Sequence, residues 1–189
     1  MGGVSFLNDL SSDIIFPFIP VFLTSVLGAT ATFVGVVEGV ANATASILKI
    51  FSGRLSDRCL RRKPFVVAGY ALSAVAKPLL SLAMVPWHVL GVRFIDRVGK
   101  GVRDAHRDAL LSLSSDKRKI GKAFGFHRGA DTLGAALGPL IGFLLLPVLG
   151  GNLRNLFLLS FAASFFSVLI IQFFIKDVQK EVKEFPEGV

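Results

Sequence analysis

A chain of 189 residues is one domain or at most two small ones, and here 52% of the residues are hydrophobic while only 18% are charged. The mean hydropathy of +0.65 lies well above that of soluble domains, which sets aside a water-soluble enzyme, a disordered tail and a disulfide-stapled secreted domain, and points to a lipid bilayer. A net charge of +8 would suit nucleic acid in a polar chain, but these charges are sorted by loop, so no nucleic-acid partner is expected; the single Cys59 allows no internal disulfide.

Apolar runs between breakers predict six membrane-spanning helices over residues 4–27, 34–53, 64–83, 88–111, 123–148 and 154–175. Residues 1–175 are therefore expected to form one all-α membrane bundle and 176–189 a polar cytoplasmic tail. The first span starts almost at Met1 with no basic leader and no small-residue cleavage site before it, which raises a start further upstream. Asp9 and Asp13 share one face of this span, about 8 and 14 Å from its inner end at a rise of about 1.5 Å per residue.

In the second span Gly35, Gly39, Asn42, Ser46, Lys49 and Gly53 recur at helical spacing, with Glu38 beside them. Such a stripe is expected to face protein or a water-filled cavity rather than lipid, with Lys49 free to snorkel inward. Lys77, before Pro78 in the third span, reads as snorkelling to the outer interface. Trp87 marks that interface.

The fourth span carries Arg93, Arg97, Lys100, Asp104 and Arg107 on one face, with Asp96, Arg103 and Asp108 adjoining. Ionisable groups at this depth cost a few kcal/mol each even on the lenient scale, so they too must face protein or water. An alternative places everything beyond Gly101 in an interfacial helix. Arg93 and Arg97 fall about 8 and 14 Å from the outer end, so Asp13 and Arg97 are expected to meet near the midplane.

The long loops and the tail carry twelve basic residues on one side of the membrane, against Arg154 alone on the other. The positive-inside rule then puts both termini in the cytoplasm of a multi-pass protein of the plasma or inner membrane.

At the inner end of the second span stands Gly53-Arg54-Leu55-Ser56-Asp57-Arg58-Cys59-Leu60-Arg61-Arg62-Lys63. Gly53 permits close helix approach, Asp57 is an acceptor at the membrane edge, and Arg58, Arg61 and Arg62 are donors able to pair with it or with helix ends. These are the parts of a gating latch; a merely basic cytoplasmic loop is the plainer alternative. In the fifth span Gly125, Gly134, Gly138 and Gly142 offer a groove for another helix, and Pro139 bends the chain by removing a backbone bond.

Together these segments resemble the amino-terminal six-helix half of a Major Facilitator Superfamily transporter. The loop is similar to that family's G-x-x-x-D-R-x-G-R-[RK] signature at Gly53, Asp57, Arg58, Arg61 and Arg62, with Leu60 in place of the second Gly. The fifth span resembles its antiporter signature at Gly125, Gly134, Gly138, Pro139 and Gly142, with Phe143 where a last Gly is usual. Arg93 has only a loose likeness to the family's R-x-x-x-G-x-G element, because Gly99 and Gly101 come two places late. The resemblance implies two inverted three-helix repeats, spans one to three and four to six, with spans one and four lining a substrate cavity. Gly35, Glu38 and Gly39 echo Gly134, Asp131 and Gly138 in support.

The resemblance also implies that Asp57 meets a helix of a carboxy-terminal half. Function then needs a second copy or a separately encoded half, because a one-sided polar cavity would otherwise face lipid. The expected activity is secondary active transport of a small solute by proton-coupled antiport; the alternative is a non-transporting fragment or membrane scaffold. Glu38, His127 and Asp131 are the proton-carrying candidates, as side chains able to take up and release a proton, and Asp9, Asp13, Arg93, Asp96 and Arg97 join them as site candidates. A static pair in which Arg128 neutralises Asp131 is the competing reading. The basic excess of the fourth span leans the substrate toward an anion.

No protease-type Ser and His pair and no His or Cys cluster of metal-ligand spacing is present, so neither enzyme activity nor a metal or other cofactor is expected. The clustered-aspartate signature of lipid phosphotransferases, D-G-x-x-A-R, fails at once, since Arg97 rather than Gly follows Asp96.

Overall fold

A computed structural model describes residues 2–58, 63–114 and 119–174, with side chains of 55–58, 114 and 174 also outside the description. Its helices are α1 (Gly2–Ile15), α2 (Phe18–Val21), α3 (Ala31–Arg58), α4 (Lys63–Ser81), α5 (Pro86–Ser114), α6 (Ile120–Val148) and α7 (Leu153–Phe174), with one π-helical stretch at Phe22–Val26. α1, α2 and the π stretch make the first span, and α3 to α7 the remaining five. Five of these spans are long and apolar enough to cross a membrane, and only α5 is too charged to qualify on composition.

The boundaries follow from local chemistry. Gly28 takes a left-handed φ of +67° that ends the first span, and the hydroxyl of Thr30 accepts the Phe33 N–H at 3.3 Å to start α3. Pro86 opens α5, where a missing N–H costs nothing. Gly150 and Gly151, both at positive φ, close the turn after α6, and the Asn152 side chain accepts the Arg154 N–H at 2.9 Å.

One predicted element differs. The first span is not one uninterrupted helix but breaks at Phe16 and Pro17, since Pro17 has no N–H to give the Asp13 carbonyl four residues back. Pro20 repeats the deletion, and the chain answers with a wider turn in which the Leu27 N–H reaches Phe22 O at 3.1 Å. α3 also outruns its expected end at 53, because a helix need not stop where the apolar residues do.

The first span packs against α6 and α7, α5 packs against α3 and α4, and α4 packs against α7. Exchanging spans one, two and three with spans four, five and six leaves this scheme of neighbours unchanged. Lipid tails provide no hydrophobic drive between helices, so close approach must come from small residues. A Cβ on Gly138 would lie 2.7 Å from the Asp13 Cβ, and one on Gly134 would lie 3.1 Å from backbone atoms of Phe6 and Leu10. Gly69 and Gly99 permit the α4–α5 crossing in the same way, and Gly101 seats α5 on Leu48 of α3.

Two apolar clusters cap the bundle. One, around Ile19, Phe22, Leu80, Val89, Leu156 and Phe157, lies at the end away from the termini; the other, Val4, Val66, Tyr70, Leu110 and Ile171, lies at the termini end. Between them runs a buried polar layer. Apolar seals on both sides of a polar middle are what position the site.

Candidate functional site

The polar layer is assembled around α5. Its stripe from Arg93 to Arg107 does not run out onto the surface beyond Gly101: Arg103 is 2% and Arg107 4% exposed, so the second half of α5 belongs to the bundle and not to an interfacial helix. Arg103 Nη2 donates to Asp9 Oδ1 at 3.2 Å, and the Asn8 amide, with its oxygen turned to the guanidinium, accepts at 2.6 and 3.0 Å. The same guanidinium lies over the Tyr70 ring, 4.5 Å from its centroid. One turn on, Arg107 Nη1 donates to Ser5 Oγ at 2.7 Å and stands 3.8 Å from Asp104, while its Nη2 stands 3.8 Å from Asp131.

These contacts fix the register of the first span on the fourth. Ser5 meets Arg107 and Asp9 meets Arg103, so Asp13 falls level with Lys100 and Phe16 with Arg97. The expected meeting of Asp13 with Arg97 is therefore corrected by three residues, nearly one turn. Both line one cavity, but among the described residues no ion pair joins them; Arg97 lies 3.7 Å from Asp96, and its guanidinium sits 5.6 Å from the centre of the Phe16 ring. Arg93 covers the same ring at 4.9 Å and grips Glu38 of α3 through two bonds of 2.9 and 3.0 Å, with Asp96 at 3.8 Å.

The cavity holds about 430 Å³ and is walled by the first span, α3, α5 and α6. Asp9, Ser12, Asp13 and Phe16 line it from the first span; Asp96, Arg97, Lys100, Arg103, Asp104 and Arg107 from α5; Arg128, Asp131, Thr132 and Ala135 from α6; and Asn42 from α3. Glu38 and Arg93 stand beside it. His127, 1% exposed, has Nε2 at 3.6 Å from Asp131, and neither ring nitrogen has a hydrogen-bond partner among the described residues. The arginine beside Asp131 is Arg107, not the Arg128 of the competing static reading.

Lys77 overturns its expected place. It is 2% exposed, and its ammonium donates to Ser11 Oγ at 2.6 Å and to Ser164 Oγ, so it lies between the first, third and sixth spans instead of snorkelling outward. Ser11 and Ser164 are joined at 2.8 Å, and Ser11 also donates to the Ser160 carbonyl. A small void lined by Ser12, Lys77, Arg93 and Asp96 adjoins the cluster. Nothing local in the sequence marks these serines as partners of a lysine 66 and 87 residues away.

The two signature segments are placed differently. Gly134, Gly138 and Gly142 of α6 form the groove that seats the first span, whereas Gly125 has open space around it and Pro139 stays inside the helix. Gly53 likewise touches nothing, and Asp57 and Arg58 lie on the last turn of α3; their side chains, with Arg61 and Arg62, lie outside the described residues. The α3 stripe of Gly35, Gly39, Asn42, Ser46 and Lys49 is exposed, with Asn42 at the edge of the cavity. Among the described residues there is no group of His, Cys, Asp or Glu able to hold a metal ion.

Comparison with known proteins accounts for this architecture. The family model described as Major Facilitator Superfamily matches residues 1–188. The chain is 37% identical over 177 residues to an uncharacterised MFS-type transporter of Methanocaldococcus jannaschii, covering 94% of this chain and 44% of that protein. It is 31% identical over 133 residues to the multidrug resistance protein MdtH of Photorhabdus laumondii, covering 70% of this chain and 33% of MdtH. In fold it is similar to the human organic anion transporter MFSD10, with a TM-score of 0.72 at 19% identity, over 92% of this chain and 46% of that one. The chain thus spans less than half the length of these relatives.

Proposed function

The chain belongs to the Major Facilitator Superfamily, a family of transporters and not of enzymes, and from this we propose that it supplies one half of a secondary active transporter of a small solute. The observation that carries the reading is the charged cavity, held between two apolar seals in a bundle whose other walls suit lipid. Ionisable groups at membrane depth persist where they serve a pathway. The scheme of neighbours, unchanged on exchange of the two sets of three spans, supports two inverted repeats interleaved in one bundle, which would rock as a unit against the second half.

The second half is required on physical grounds. The exposed small-residue stripe of α3 and the open space at Gly125 on α6 are surfaces that suit another helix better than lipid. A second copy or a separate carboxy-terminal half would cover them, and the latch of Gly53, Asp57, Arg58, Arg61 and Arg62 would act across that boundary. The excess of basic residues in the long loops and tail supports a cytoplasmic position for both termini.

Proton-coupled antiport is the finer reading. Asp131 lines the cavity and His127 lies buried 3.6 Å behind it, a pair that could relay a proton, and Arg107 beside Asp131 gives the carboxylate a competing partner. Export is consistent with the similarity to a multidrug resistance protein.

Reconstitution tests this. The purified chain is brought into liposomes, its mass is measured in matched nanodiscs, and solute-driven proton movement is followed with an internal pH dye. Flux from assemblies of two halves supports the proposal. A homogeneous two-copy assembly without flux, alone and with a carboxy-terminal half supplied, favours a membrane scaffold.

A further inference from the structure

The charges around the cavity are balanced in number but not in pairing. Five acidic and five basic side chains line it. Asp9 and Asp104 are held by Arg103, Asp104 and Asp131 by Arg107, and Asp96 by Arg97. Three remain: Asp13 on the first span, Lys100 on α5 and Arg128 on α6, whose side chains have no ion pair or hydrogen bond among the described residues. The register set by Ser5–Arg107 and Asp9–Arg103 brings Asp13 level with Lys100, so opposite charges face the cavity from opposite walls.

We propose that the solute is amphoteric, bearing a cationic amine that meets Asp13 and a carboxylate that meets Lys100 and Arg128. This rests on the transporter reading and names the substrate class of the same cavity. A simple anion, which the basic excess of α5 alone suggests, satisfies the two cations but leaves Asp13 without a partner; a simple cation does the reverse. An uncompensated charge on the half-buried Asp13 or Lys100 is costly, whereas one solute with both groups neutralises both, and the exposed Arg128 adds to the attraction for its carboxylate. The volume of about 430 Å³ suits a solute of amino-acid to dipeptide size.

Three probes of one carbon framework test the proposal on the full chain in nanodiscs: phenylalanine, phenethylamine and 3-phenylpropionate, read by binding and by thermal stabilisation. Phenylalanine is expected to bind at least about tenfold more tightly than either relative. Asp13→Asn shifts preference toward 3-phenylpropionate, and Lys100→Gln with Arg128→Gln shifts it toward phenethylamine. Because none of the three sits in an ion pair, each variant is expected to fold, and retained thermal unfolding verifies it. Equal binding of anion and zwitterion, no binding of any probe, or variants that weaken all probes alike overturn the proposal. The transporter reading fails separately: charge-dependent binding without flux from assembled halves leaves the amphoteric site standing, and flux without these preferences leaves transport standing alone.

Discussion

The guanidinium of Arg103 stands 3.2 Å from the carboxylate of Asp9, tying the fourth span to the first at the level of the cavity. With Arg103 2% exposed, neither solvent nor lipid can replace this partner. Removing the cation strands Asp9 and the Asn8 oxygen, whereas removing the Asp9 charge leaves Asn8 still accepting and Asp104 still within ion-pair distance. Arg103→Met is therefore expected to cost about 3–5 kcal/mol in detergent unfolding, and Asp9→Asn markedly less. Equal losses would show that the pair itself, rather than the buried cation, carries the stability.

The glycines of α6 divide by what surrounds them. At Gly138 a methyl group would press on Asp13 and Ile14 backbone atoms at 2.8 and 2.9 Å, which cannot yield as a flexible side chain can. Gly138→Ala should destabilise by about 1–3 kcal/mol. Gly125→Ala meets open space and should leave stability unchanged or raise it by up to about 1 kcal/mol through helix propensity. Thermal unfolding of the two variants side by side checks this, and a Gly125 loss matching that of Gly138 would reveal a helix seated there.

How much of this was legible follows the range of the interactions. The spans and the charged face of α5 are local, written in hydropathy and in i, i+3 and i+4 spacing, and the glycines at 134, 138 and 142 announced a groove without naming its occupant. The break at Phe16 and Pro17 was also local, but an apolar run on both sides masked it. The register of the first span on α5 depends on where the spans end, and a shift of a few residues there separates Arg97 from Lys100 as the residue level with Asp13. Lys77 reads locally as an interfacial lysine because its neighbours arrive only when the first and sixth spans fold onto α4.

That cluster yields its own prediction. The Lys77 ammonium is met by two serine hydroxyls, and among the described residues no carboxylate lies within ion-pair distance. Ser11→Ala with Ser164→Ala removes both acceptors and should cost about 3–5 kcal/mol. Lys77→Met, which removes the charge and keeps the volume, should cost little, and in its background the serine double should cost less than half as much. A double-mutant cycle in detergent unfolding reads the coupling directly. Additive losses would mean that the serines stabilise the bundle independently of the lysine.

His127 and Asp131 separate a proton carrier from a static pair. If Asp131 exchanges a proton during transport, Asp131→Asn should abolish solute-driven proton movement in liposomes while probe binding persists, since Asn keeps the shape at the cavity wall. His127→Gln should slow the proton movement without abolishing it. If Asp131 only anchors Arg107, Asp131→Asn would lower stability and leave the ratio of protons to solute unchanged.

The orientation can be checked on the native chain, because Cys59 is its one cysteine and stands within the basic loop between the second and third spans. Positive charge resists transfer across the membrane, and the residues that flank it, Arg54, Arg58, Arg61, Arg62 and Lys63, make this the most basic of the loops. A membrane-impermeant maleimide should therefore label Cys59 in inverted vesicles and fail to do so in intact spheroplasts, with detergent restoring the reaction in both. The six-span count then carries both termini to that same face, since an even number of crossings returns the chain to the side it left. Labelling in intact spheroplasts would invert the bundle, and the latch around Asp57 would have to close the opposite mouth of the cavity.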